Sequence, residues 1–515
     1  MAEFPSKLAE RNKGKEHEQE LNTVWQRFFE MIRLPYPKND ASNIIKYFEK
    51  YALSNRFGFE VDKRQNVCIS IAPSLGREND KEVVIQGHHD AIYAPTDLSS
   101  TGEITPVVTE DGQWIKGDGT SLTCDNRNGL AIGLTAVETI SKNGIPHGPM
   151  KIVITSGEDS GLIGANYLGK TKSSFLNGKQ VLINIDSSEG PEWVTIGSAS
   201  GSRDRLIIPI TKEEIKNKKL IKFVFQGFPG GHSGLDIGKN RPSSIKFFAE
   251  LFDALKKEFP DVGLASITAG TAFNAIPQTA SFILAADAQD EKRINEFFSQ
   301  YVKTIKKNIP ADVDQDYLDS RKNILIDQQN LSGNEQEITQ QLTPDSSDQL
   351  IDLLLKLPHG VGEKSEEKIL SSFNIGVVNM GKDKIIIDTM TRGKETPYRD
   401  RLRDGIRKIA SSFNISIEEL LVYPHWSPQP DRTIVRLIQE IGLQLFEKEI
   451  KTRVSQGGLE PGIFKRDFEL DESVSLGAWI QNEHTDHDQV NIDSVEQIYL
   501  LLSTVLIKVF DAYRN

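Results

Sequence analysis

His88, Asp125, Glu158, Asp159, Asp186 and His484 are the side chains in this sequence whose types suit a shared chemistry. Imidazole and carboxylate without thiolate are the donors of Zn²⁺, Mn²⁺ or Co²⁺. Two such ions about 3.5 Å apart need a bridging carboxylate and further ligands on each side. Six candidates can build that and leave one carboxylate free to act as a base. Each also has a plainer reading. His88 alone fits a hydrogen-bonded structural histidine, Asp125 a helix cap, and Glu158-Asp159 a solvated turn. Asp186 fits a turn cap beside Ser187 and Ser188, while His484 and its neighbour His487 fit surface histidines. The plain readings must all hold together to remove the site. They must also explain why most of these groups follow apolar runs.

Those runs are the elements that must position the candidates. Val83-Val84-Ile85-Gln86 leads into Gly87-His88-His89-Asp90, Ile152-Val153-Ile154-Thr155 into Gly157-Glu158-Asp159, and Val181-Leu182-Ile183-Asn184-Ile185 into Asp186. Buried strands alternating with helices, such as the helical stretch at 129–141, argue for an α/β sheet. Ligands of such sheets sit beyond the C-terminal strand ends, where these side chains fall. Residues 18–55 read as two helices split at Pro35 and Pro37. From about 193 to 427 strands mix with amphipathic helices, one of them over 242–259. Residues 330–348 are polar and read as a surface loop or weak helix. The last part carries two helical stretches around a Gly-rich loop at 457–462, and it is expected to return to the first domain. The expected organisation is a catalytic domain from 1–192 and 428–515, with an inserted lid of two α+β lobes at 193–427.

A chain of 515 residues has room for two or three domains. Its 61 basic and 73 acidic side chains give a net charge of −12, which argues against nucleic acid or an anionic membrane as main partner. No apolar run approaches the roughly 18 residues of a membrane span, and the N-terminus lacks the apolar core of a secretion signal. Cys68 and Cys124 are the only cysteines, too few for a disulfide scaffold or thiolate cluster. A cytoplasmic enzyme is expected.

The motifs sharpen this. Besides Gly87-His88-His89-Asp90, Cys124-Asp125-Asn126, Glu158-Asp159-Ser160-Gly161 and Ile185-Asp186-Ser187, the chain holds Gly230-Gly231-His232-Ser233-Gly234 and Asn274-Ala275-Ile276-Pro277. Leu357-Pro358-His359-Gly360-Val361, Tyr423-Pro424-His425-Trp426, Gly458-Leu459-Glu460 and His484 follow. Over nearly its whole length the sequence resembles the aminoacylase and carboxypeptidase G family of dimetal peptidases. The stretches at Leu357, Tyr423 and Gly458 point to its dipeptidase branch. The resemblance implies a three-layer zinc-exopeptidase-like domain with an inserted lid. It implies two divalent metal ions per chain, Zn²⁺ first with Mn²⁺ or Co²⁺ as alternatives, and hydrolysis of dipeptides or very short peptides.

Carried over residue by residue, Asp125 bridges the metals, with His88 and Asp186 on one side and Asp159 and His484 on the other. Asp90 orients His88. Glu158 is general base and acid, taking a proton from a water held between the metals and returning it to the leaving amine. His232 and Asn274 stabilise the oxyanion or orient the substrate. Arg392 is a candidate clamp for the substrate carboxylate, and Glu460 for its ammonium group. The peptide bond after Asp125 is expected to be cis. The same resemblance leaves open whether His232 acts within its own chain or across a homodimer formed through the lid. Three residues depart from the pattern: Asp159 in place of a common glutamate, Phe273 where an arginine often precedes the Asn-Ala-Ile-Pro motif, and Gln456 where the dipeptidases often carry histidine. An N-acyl-amino-acid deacylase on the same site, and an impaired homologue that only binds small peptides, are the competing readings.

Overall fold

The computed structural model describes residues 3–37, 40–95, 98–234, 236–307, 324–366 and 368–514. The chain divides into two compact units: 1–198 with 426–455 and 459–515, and 199–425 with 456–458. The chain leaves the first unit at 198, returns at 426 and gives 456–458 to the second, where the sequence reading draws its boundaries at 192 and 428.

The first unit is built on an eight-stranded sheet. Its order is Gly58–Val61, Val67–Ile71, Met150–Thr155, Val83–His88, Val181–Asn184, Glu472–Ser475, Trp193–Ser198 and Lys451–Ser455. The middle four strands are parallel, so their C-terminal ends lie on one edge. All of Val83–His88 and Val181–Asn184 is buried, as expected of strands covered on both faces. The late strand Glu472–Ser475 pairs with Val181–Asn184, which is how the tail completes this unit. Helices Glu18–Ile32, Cys124–Lys142, Thr433–Phe446 and Ile492–Ala512 pack together, while Ile163–Thr171 packs on Glu460–Phe468. Glycines let the helix Cys124–Lys142 press onto the strand ends. A Cβ at Gly129 would lie 2.0 Å from the Ile185 carbonyl oxygen, and one at Gly133 would lie 2.8 Å from Ile185 Cδ1.

The tail holds three helices instead of the expected two. Glu460–Phe468 grows directly out of the Gly-rich loop with Pro461 in its first turn; Pro tolerates that position because its missing N–H has no helical partner there. The helices expected at 18–55 appear as Glu18–Ile32 and Ser42–Asn55.

The second unit carries a nine-stranded sheet. Its main path runs Leu325–Gln329, Lys219–Gln226, Ala280–Ala286, Gly263–Ala269, Ser371–Met380, Lys384–Gly393, Ser200–Pro209 and Ser416–Tyr423. The two expected lobes are therefore one continuous sheet, joined where Thr268 and Ala269 pair with Asn379 and Val378. Ser244–Glu258 forms the helix expected at 242–259, with Ser243 capping it through the Lys246 N–H. Residues 330–348 are not a loop throughout. Gln340–Leu342 is a strand, and Thr343 then caps the helix Pro344–Lys356. The apolar Leu342, buried at 1% exposure, anchors that strand among polar neighbours. Each unit has its own apolar core. Among the described residues no helix is long and apolar enough to cross a membrane.

Candidate active site

Five of the six leading candidates converge in the first unit around one carboxylate. Asp125 Oδ1 lies 2.9 Å from His88 Nε2, and Asp125 Oδ2 lies 3.2 Å from His484 Nε2. His88 Nε2 is also 3.2 Å from Asp186 Oδ1, and His484 Nε2 is 2.9 Å from Asp159 Oδ1. Two groups of donor atoms thus share Asp125: His88–Asp125–Asp186 and Asp125–Asp159–His484, each within 4.8 Å. A third group, His88–Asp90–Asp159, overlaps them. His487 stands apart, with its Nδ1 3.7 Å from Asp486 and its side chain 80% exposed. Asp159, although one methylene shorter than glutamate, reaches His484.

Local structure fixes these groups. Asp125 and Asn126 leave helical geometry at the start of Cys124–Lys142, and the bond between them is cis, as the resemblance implies. Asn126 ties two strand ends together: Oδ1 accepts from the His88 N–H at 3.2 Å and Nδ2 donates to the Ile185 carbonyl at 2.6 Å. Asp90 does more than face His88 Nδ1, 3.4 Å from its Oδ1. Its two oxygens accept the backbone N–H groups of Glu158 and Asp159 at 3.1 and 3.2 Å. One carboxylate therefore positions both a histidine and the turn carrying the base candidate.

The electrostatics are those of crowded carboxylates. Burial pushes Glu158 well above the usual carboxylate range, reinforced by Asp186 and Asp159 against the pull of His88. Burial and Asp125 raise Asp186, although His88 opposes them. Burial alone would also raise Asp125, but His88 and His484 overcome it and hold it well below. Burial opposes the charged form of His484, yet Asp125 and Asp159 push it up to about 12. Neither Asp159 oxygen accepts a hydrogen bond of proper geometry, so the ion-pair contact with His484 is its main partner. Buried negative charge left this way is costly unless cations neutralise it. The donor set and the underused Asp159 oxygens fit divalent metal.

Beneath these groups lies a polar layer set inside the apolar runs. Glu460, with no exposed surface, accepts hydrogen bonds from Gln86 and from Thr155 Oγ1, the latter at 2.7 Å. Gln86 in turn accepts from Asn184 Nδ2 at 2.7 Å. Burial raises the Glu460 carboxyl to about 7. The side chain expected to meet a substrate ammonium group is instead enclosed in the strand layer, and its Oε1 has no partner. Glu483, next to His484, was also missed; burial and Asp125 raise it to about 8. The available signal was polar residues (Gln86, Asn184, Thr155) inside otherwise apolar strands.

His232, Asn274 and Arg392 belong to the second unit. The loops bearing the first two are laced together: Ser233 N–H donates to the Asn274 carbonyl at 2.8 Å, and Ile276 N–H to the Gly231 carbonyl at 2.8 Å. Arg392 is 7% exposed. Its Nη1 donates to Tyr423 Oη at 3.1 Å and to the Gln456 carbonyl at 3.2 Å, and its Nη2 lies 3.5 Å from His232 Nε2. Gln456 thus contributes its backbone here. Phe273 is covered by a cation from elsewhere, the Arg203 guanidinium standing 4.3 Å from the ring centroid.

The chain is 27% identical to the cytosol non-specific dipeptidase of Escherichia coli (strain K12), over 94% of this chain and 96% of that one. The crystal structure of aminoacylhistidine dipeptidase from Vibrio alginolyticus superposes with a TM-score of 0.66 at 24% identity, covering 94% and 96% of the two chains. A tripeptidase from Staphylococcus aureus gives 0.53 at 17% identity, covering 95% and 98%; both structures share the fold. The model of peptidase family M20/M25/M40 matches residues 84–508. With its α/β sheet, inserted unit and paired donor groups around Asp125, the chain belongs to peptidase family M20/M25/M40.

Proposed function

We propose that this peptidase hydrolyses the peptide bond of dipeptides or very short peptides at a site for two divalent ions. The observation that carries the reading is Asp125, whose two oxygens face different histidines, each paired with a further carboxylate. His88 and Asp186 would hold one ion, Asp159 and His484 the other, with Asp125 between them. When bound, the ions supply Lewis acidity, polarising the scissile carbonyl and easing deprotonation of water. Zn²⁺ suits this histidine and carboxylate set, with Mn²⁺ and Co²⁺ as alternatives.

Glu158 takes the proton of the attacking water and returns it to the leaving amine. Asp90, whose Oδ1 accepts the Glu158 N–H, keeps its backbone fixed while this occurs. His232 and Asn274 contribute donors to the developing oxyanion or orient the substrate, and Arg392 meets the terminal carboxylate. The names of the Escherichia coli and Vibrio relatives support a dipeptide substrate, and the former supports a cytoplasmic setting.

The enclosure of Glu460 favours keeping one alternative, an N-acyl-amino-acid deacylase, because the carboxylate nominated for a free ammonium group is occupied. Turnover of Ala-His beside N-acetyl-His, with elemental analysis of the same sample, separates the two. The dipeptidase reading expects two ions per chain and preference for Ala-His. Preference for N-acetyl-His favours the deacylase, and no turnover of either with metal bound identifies a binding protein.

A further inference from the structure

We infer that Asn374 is a positioning residue for Asn274, clamping its loop through both amide hydrogens. The inference rests on the reading above, in which Asn274 acts on the substrate.

The loop between strands Gly263–Ala269 and Ala280–Ala286 carries Asn274 at its turn. Beyond an isolated bridge between Ala275 and His232 this connection has no ladder, so its other backbone carbonyls need partners. Asn374, on the strand Ser371–Met380, supplies them. Its Nδ2 donates to the Phe273 carbonyl at 2.9 Å and to the Ala275 carbonyl at 2.8 Å, the residues on either side of Asn274. A primary amide has two N–H hydrogens, and here both are spent on the one loop. Asn374 is 1% exposed, and its Oδ1 is buried without a hydrogen-bond partner. A buried acceptor left unmatched is unfavourable, and the amide orientation is therefore dictated by the two carbonyls.

The same strand supports the loop sterically. Its register breaks between Ile375 and Val377. At the break a Cβ on Gly376 would fall 2.5 Å from Phe273 Cα and 2.6 Å from the Ala272 carbonyl oxygen. Loop and strand therefore touch without room for a side chain. The clamp extends one step further, since the Asn274 carbonyl accepts the N–H of Ser233, next to His232. Asn374 has no charge and sits at neither a terminus nor a turn. Its amide is matched to the loop that bears a substrate contact. Displacement of a positioned donor by about an ångström is enough to lower turnover severely.

The test is a double-mutant cycle on full-length, metal-loaded enzyme with Ala-His as substrate. Asn374→Asp keeps the shape but sets a carboxylate oxygen against two carbonyls; Asn374→Ala removes the donors without repulsion. Both should lower kcat at least tenfold, with metal content unchanged. In an Asn274→Ala background the same substitutions should cost less than threefold, because the group they position is gone. A merely structural role would multiply the two losses, and that outcome overturns the inference. So does wild-type kcat in folded Asn374→Ala, with Asn274→Ala impaired; the functional reading then stands. Wild-type kcat in Asn274→Ala alone defeats the assignment of Asn274 and the clamp with it. If Asn374→Asp fails to fold, the Ala variant decides.

Discussion

In the first unit, carboxylates from Asp125, Glu158, Asp159 and Asp186 crowd two histidines, and several are pushed far from their ordinary pKa. In the second unit, the groups proposed to meet the substrate are already tied down by hydrogen bonds to uncharged partners: Arg392 to Tyr423 and Gln456, the Asn274 loop to Ser233 and Asn374. One cluster is electrostatically incomplete without cations, whereas the other is assembled by its own backbone and amides. Loss of metal should therefore act on the first. Loss of a donor in the second should damage chemistry and leave metal binding intact.

The largest effect that would break this contrast is at Asp125. Asp125→Ala removes the carboxylate common to both donor groups, so elemental analysis should find both ions lost and turnover absent. Retention of two ions would refute a shared ligand. His487→Ala is the matched control and should keep both. Glu158→Ala should come next, with turnover lowered about a thousandfold, the usual scale of a general base, while metal stays bound. Near-normal turnover would remove Glu158 from the mechanism. His232→Ala should lower turnover about a hundredfold, the scale of one lost oxyanion donor, again at full metal occupancy. Metal loss in that variant would erase the distinction between the two clusters.

The smallest effect concerns the buried layer. Burial raises Glu460 from 4.5 to about 7, so the folded state binds a proton more tightly than the unfolded chain. The stability this contributes is complete below pH 4.5 and is lost as pH rises through 7. In metal-free protein, Glu460→Gln should flatten the decline in Tm across that window by a few degrees. An unchanged pH profile would mean that Gln86 and Thr155 already stabilise the charged carboxylate.

Much of the site was legible because ligand chemistry is local in type and position. Apolar runs ending in His88, Glu158-Asp159 and Asp186 identify strand ends, since parallel strands buried on both faces must be apolar, and the structure puts these residues on one sheet edge. The same rule hid Gln86, Asn184 and Thr155. A polar residue inside an apolar run is informative only once its partner is known, and Glu460 lies 374 residues from Gln86. The resemblance assigns His484 although His487 stands in the same short polar loop; in the structure His484 Nε2 lies 3.2 Å from Asp125 Oδ2, whereas His487 Nδ1 faces Asp486.

Sequence by itself determined the donor types and the strand ends that carry them, which depend on residue chemistry and periodicity, properties of short stretches. The family is read from the resemblance that its motifs carry. Tertiary structure decided that Asp125 faces two histidines at once, that Glu460 is enclosed, that the lobes of the inserted unit share one sheet, and that Asn374 holds the Asn274 loop. Each is a pairing between distant parts of the chain. Hydrogen bonds and ion pairs act over about 3 Å, a proximity that sequence separation does not encode.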